Sequence, residues 1–276
     1  SGAKTVGSWG SGHTPLTARG VGVSRAGTVT LSGSAPSCVA IPIGLPQLEF
    51  RPELVGQSLV LRHVSVASRH SFGGGGTGLG AGAQCSASSL RCEFVEFKAL
   101  EQRGAGAAAI FLAAGSDLSV RFARFESLTN TGFGAAVLYA QNSSAALRHV
   151  RVSECSVHDL MGLQSDGAGR RRRMQAGIAV ESSAVVVVES DSSAGMSYAD
   201  VENNNGDVVA VRSSALSVDH TTFNSNAGGG VILADGAALD VSHSAFTDNS
   251  VDPTTVSRAP ISLWDGSVAT LTASSF

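Results

Sequence analysis

Apolar and polar residues alternate along much of the chain, in short runs that recur. LRHVSV at 61–66 nearly repeats as LRHVRV at 147–152, and LSVDHTTFNSN at 216–226 follows the same plan as LDVSHSAFTDN at 239–249. With the last large residue of each run as an anchor, the anchors are Val66, Phe97, Phe125, Val152, Ser193, Phe223, Phe246 and Phe276. They lie 31, 28, 27, 41, 30, 23 and 30 residues apart. Seven residues before them stand Leu59, Leu90, Leu118, Ala145, Val186, Leu216, Leu239 and Ala269. Five before stand Leu61, Cys92, Val120, Leu147, Val188, Val218, Val241 and Leu271. Three before stand His63, Phe94, Phe122, His149, Ser190, His220, His243 and Ala273. The residues between are mostly polar, which is the period-two pattern of a strand with one buried face.

A second strand is expected upstream in the last six repeats. Fifteen before the anchor are Ile110, Val137, Ile178, Val208, Val231 and Ile261, and thirteen before are Leu112, Tyr139, Val180, Ala210, Leu233 and Leu263. Short turns such as Ser182-Ser183 and Asp235-Gly236 join the two strands. The pattern predicts an all-β fold, a right-handed single-stranded parallel β-helix of about eight registered coils over 59–276. Stacked about 4.8 Å apart, eight coils make a rod about 38 Å long. A β-sandwich would not repeat like residues at fixed coil positions. Residues 1–58 are expected to form irregular N-terminal coils or a cap, with strands at 27–31 and 39–42. Protruding loops are expected near 67–85, around Gly73–Gly76, and near 157–176.

Composition narrows the function. The 276 residues carry a net charge of −3, with only two lysines, Lys4 and Lys98, against 17 arginines. That balance argues against a nucleic-acid partner. No apolar run is long enough for a membrane-spanning segment. The chain opens at Ser1 without an initiator Met or signal peptide and stops inside a repeat, so a fragment of a longer chain is expected. Asn142-Ser143-Ser144 is a glycosylation sequon.

Phe223-Asn224-Ser225-Asn226 and Phe246-Thr247-Asp248-Asn249 both read F-x-x-N, and the first runs into Gly229-Gly230-Val231-Ile232, a G-G-x-I element. The pairing resembles the repeats of chlamydial polymorphic outer-membrane proteins and related surface β-helix proteins, over roughly residues 100–276. It is clean in about two coils. Phe125 leads to Asn130, and Gly134-Ala135-Ala136-Val137 replaces the double glycine. The resemblance implies an exported, adhesin-like surface architecture at the extracellular or cell-surface side.

His63, His149, His220 and His243 share one coil position, which the alternation turns inward. There they form an internal hydrogen-bonded stack, and the inward columns supply no further ligands for a metal. Arg121, Arg124, Arg148 and Arg151 occupy equivalent positions in adjacent coils, a basic patch suited to sulfate or carboxylate groups of a glycan or to surface ion pairing with Glu93, Glu96 and Glu189. Glu189 and Asp219 fall in one outward column, where they would bracket a glycosidic bond in an enzymatic alternative. A solvated charged face is the other reading of the same column. Arg170, Arg171, Arg172 and Arg173 form a basic run suited to processing or to polyanion contact, or simply a solvated loop. Cys85 and Cys92 read equally as a local disulfide or as separate buried thiols. No cofactor is implied. The combined expectation is a non-enzymatic, rigid spacer and interaction surface. Partners are other domains or subunits at the open coil ends, with glycans or surface proteins along the side. A polysaccharide lyase or glycoside hydrolase and a filament subunit are the alternatives.

Overall fold

A computed structural model describes residues 82–102, 106–132, 134–158, 183–228, 230–250 and 259–276, together with strands at 4–9, 28–33, 39–42, 53–55 and 58–67. Every strand pair among the described residues is parallel. A first sheet runs through Ser58–Ala67, Ser89–Lys98, Asp117–Glu126, Ser144–Ser153, Ser193–Ser197, Ala215–Asp219, Ala238–Ser242 and Val268–Thr272. A second runs through Glu53–Val55, Ala83–Ser86, Ile110–Ala113, Gly134–Gln141, Ala184–Glu189, Asn205–Arg212, Ile232–Asp235 and Ile261–Trp264. Each coil visits the second sheet, turns, crosses the first sheet, and returns. This is the parallel β-helix that the repeats predict. Strands Lys4–Trp9, Thr28–Gly33 and Val39–Pro42 extend the first sheet in parallel register ahead of residue 58.

The lumen is filled by columns of like residues, because each coil hydrogen-bonds in register to the next. One column reads Leu90, Leu118, Ala145, Ala194, Leu216 and Leu239, and another Cys92, Val120, Leu147, Met196, Val218 and Val241. Among the anchors, Phe97 stacks on Phe125 at 5.1 Å, Phe223 on Phe246 at 4.8 Å, and Phe246 on Phe276 at 4.9 Å. Phe97, Phe125 and Phe223 are fully buried. Leu271 and Phe276 continue these columns but are exposed, because no coil covers that side among the described residues.

Three details differ from the sequence expectation. Val152 pairs with Val201, so Val201 and not Ser193 is the anchor of that coil. Val186 and Val188 belong to the second sheet, paired with Leu138 and Ala140. This strand is buried on both faces, so Ala184–Val188 is buried at every position and carries no alternation to read. The upstream register also shifts. Ile110 pairs with Leu138, Val186 with Val209, and Val209 with Ile232, since some turns between the sheets are one residue shorter. Tyr139 and Ala210 consequently face outward, into a separate apolar cluster with Phe111, Ala135, Ala184 and Val187.

The column that includes the histidines also faces the other way. Phe94, Phe122, His149, Tyr198, His220 and His243 all have positive φ, between 47° and 54°. One left-handed residue bends each first-sheet crossing and puts two successive side chains outside. The next inward residues are therefore Val95, Ala123, Val150, Ala199, Thr221 and Ser244, all buried. The histidine column lies on the surface.

Buried corners leave backbone groups to be satisfied, and side-chain ladders do it. At the corner after the anchor, Asn204 Nδ2 donates to Asn226 Oδ1 (2.8 Å), and Asn226 Nδ2 donates to Asn249 Oδ1 (2.9 Å) and to Val201 O (3.0 Å). The same Oδ1 atoms accept the backbone N–H of Asn204 and of Asn226, each at 3.1 Å. This is the physical content of F-x-x-N. Between the sheets, Ser116, Ser143, Ser192 and Ser214 accept successive backbone N–H groups at 3.1–3.3 Å. Glycine is required at Gly134, where φ is +125° and an added Cβ would lie 2.0 Å from Gly106 O.

Candidate functional site

The outer face of the first sheet gathers most of the candidate chemistry. Its centre is a rib of six stacked rings along the long axis: Phe94, Phe122, His149, Tyr198, His220 and His243. Successive centroids lie 5.0, 4.9, 5.0, 5.0 and 4.7 Å apart, with interplanar angles of 7–20°. The rings are about half exposed: Phe94 48%, Phe122 49%, Tyr198 46%. Offset stacking contributes about 0.5–1.5 kcal/mol per pair beyond area burial, which offsets the cost of bulky residues held at positive φ. Tyr198 was not legible as a member, because the wrong anchor placed Ser190 there.

Charged columns flank the rib. Arg121 pairs in register with Arg148 and with Glu93, and Arg124 with Arg151 and Glu96. The four arginines thus come together around Phe122 and His149, as the repeat spacing predicts. Arg151 Nε donates to Glu202 Oε1 at 2.8 Å, and its guanidinium pKa is raised by that bond. Arg124 lies 3.9 Å from Glu126 Oε2. Arg121 and Arg148 have no ion-pair partner among the described residues.

Glu189 and Asp219 do not come together. Glu189 ends a second-sheet strand, between Gln141 and Arg212, whereas Asp219 ends a first-sheet strand opposite Ser197 and Ser242. The paired-carboxylate expectation, and Glu189 as a neighbour of the arginine patch, arose from the same misplaced anchor. Glu189 is 4% exposed, accepts the Tyr139 hydroxyl at Oε1, and leaves Oε2 without a partner. Burial raises its pKa, opposed by the Tyr139 hydrogen bond and the Arg212 charge.

Asp219 is held the opposite way. Its carboxyl is pulled down to about 2, first by the hydrogen bond to His220, then by Ser242 and His243. His220 Nδ1 lies 2.8 Å from Oδ2 and His243 Nδ1 3.3 Å from Oδ1, and Ser242 Oγ donates to Oδ1 at 2.8 Å. The three ligand atoms of Asp219, His220 and His243 all lie within 4.8 Å of one another. Sequence reasoning missed this cluster because it turned the histidines inward, away from any carboxylate.

Cys85 and Cys92 are free, fully buried thiols. Desolvation pushes the Cys85 pKa up to about 12 and raises that of Cys92 as well. Asn142 is exposed in a turn between the sheets. Arg170–Arg173, the Gly73–Gly76 segment and the centre of the 157–176 insertion lie outside the described residues, as does the His63 side chain.

Stacked parallel coils with polar ladders at their corners define a parallel β-helix. A family model described as a right handed beta helix region matches residues 81–276, well over half of the chain, and the chain belongs to that family. No curated protein and no solved structure matches it. No helix among the described residues is long and apolar enough to cross a membrane.

Proposed function

We propose that the protein is a non-enzymatic β-helix segment of a larger extracellular or cell-surface protein, a stiff spacer whose outer face binds acidic glycans. The observation that carries this reading is the juxtaposition of Arg121 and Arg148, unpaired among the described residues, beside the exposed rings of Phe122 and His149. Guanidinium groups recognise sulfate and carboxylate through paired N–H donors, and the parallel ladder fixes their spacing. The resemblance to surface adhesin repeats points the same way, now that F-x-x-N has a structural role. The last described coil has a strand edge at Val268–Thr272 that pairs on one side only among the described residues, and it exposes Leu271 and Phe276, a surface suited to a neighbouring domain.

The enzymatic alternative loses its paired carboxylates, since Glu189 and Asp219 lie in different sheets and Glu189 is buried. A sulfated polysaccharide such as heparin, immobilised for surface plasmon resonance, tests the proposal. Binding that weakens at least about 10-fold in Arg121→Ala/Arg148→Ala and falls steeply with salt is expected. Binding indifferent to both arginines, or new reducing or unsaturated ends released from a polysaccharide panel, would contradict it.

A further inference from the structure

We infer that Asp219, His220 and His243 form a binding site for a late first-row divalent metal ion, of which Zn2+ is the type. Two imidazoles and one carboxylate are the borderline nitrogen and oxygen ligands such ions prefer, and they disfavour Ca2+ and Mg2+, which take oxygen cages. The site is distinct from the arginine patch and does not depend on glycan binding.

The geometry is built by the fold. His220 and His243 are left-handed corner residues of neighbouring coils, so their rings leave the surface side by side, 4.7 Å apart and 19° from parallel. Both turn Nδ1 toward the one carboxylate between them, at 2.8 and 3.3 Å. Ligand atoms around tetrahedral Zn2+ lie about 3.3 Å apart, given metal–ligand bonds near 2.0–2.1 Å. Small rotations about the side chains therefore bring the set onto an ion. Two features hold it ready. Ser242 Oγ donates to Asp219 Oδ1 at 2.8 Å, which orients the carboxylate as outer partners of metal ligands do. Tyr198 stacks on His220 at 5.0 Å, which limits the ring from below. Three protein ligands leave a tetrahedral ion one open position facing solvent, available to water or to an acidic or imidazole group of a partner.

The full chain, stripped of metal with a chelator, is titrated with Zn2+ by calorimetry, and with Co2+ by visible absorption. One ion per chain and tetrahedral Co2+ bands are expected. Asp219→Asn, His220→Ala and His243→Ala are each expected to weaken binding more than about 10-fold, while His158→Ala, an exposed histidine outside the rib, leaves it unchanged. Asp219→Asn keeps the shape of the side chain and so separates loss of a ligand from loss of fold, and Zn2+ should raise the wild-type melting temperature but not that of Asp219→Asn. No saturable site, or a site that survives Asp219→Asn and His243→Ala alike, overturns the inference.

Discussion

A buried Asn226 does several jobs with one amide. It accepts from the backbone and side chain of Asn204, and donates to Val201 O and Asn249 Oδ1. Asn226→Ala leaves several of those groups without partners at a buried corner, and a loss of about 3 kcal/mol is expected by denaturant unfolding. Charge at two acidic residues sets opposite pH dependences. Glu189 has a raised native pKa, so the native state keeps its proton where the unfolded chain releases it. Stability therefore falls as pH rises above 4.5, the ordinary value, until the native carboxyl ionises too. Asp219 is depressed from 3.8 to about 2, so its contribution is complete above 3.8 and is lost as pH falls toward 2. Urea midpoints between pH 4 and 7 should decline in the wild type through the Glu189 contribution, and Glu189→Gln should lack that component. A Glu189→Gln profile parallel to the wild type would contradict the assignment. At this scale the sequence was half legible. F-x-x-N marked Asn226 and Asn249, but Asn204 was missed because its anchor is a valine.

Elements were legible where burial is one-sided. Asp117–Glu126 alternates cleanly on either side of its bend, and its partners fell into register from the sequence alone. The bend itself was invisible. A single left-handed Phe122 or His149 reads as one more apolar or polar residue, yet it reverses every inward assignment at that column. Strand Ala184–Glu189 failed for the opposite reason, because cover on both faces erases the period that identifies a strand and its sheet. Stacking within elements has a measurable cost. Phe125 is fully buried and lies 5.1 Å and 3° from Phe97. Phe125→Ala should destabilise the stack by about 3–5 kcal/mol, whereas Phe122→Ala on the exposed rib should cost far less. Equal losses at the two positions would place the rib in the lumen after all.

The whole molecule is a lattice of identical contacts, so an insertion between coils can grow without disturbing what lies above and below. Residues 159–182 lie outside the described residues, and the coils on either side of them are in register, with Ala146 beside Gly195 and Leu147 beside Met196. On that rigid face the arginine patch and the Asp219–His220–His243 cluster keep fixed positions along one axis. Register across this segment is thus what joins the two proposed sites into one continuous stack. A double variant, Ala146→Cys/Gly195→Cys, tests it directly. Both positions lie on the outer face, and a Cβ at Gly195 meets nothing within 4 Å. Paired parallel strands lie about 4.8 Å apart, within disulfide reach. Mild oxidation followed by peptide mapping should find a 146–195 bridge. Its absence, with both introduced thiols still reactive, would contradict the stacked register.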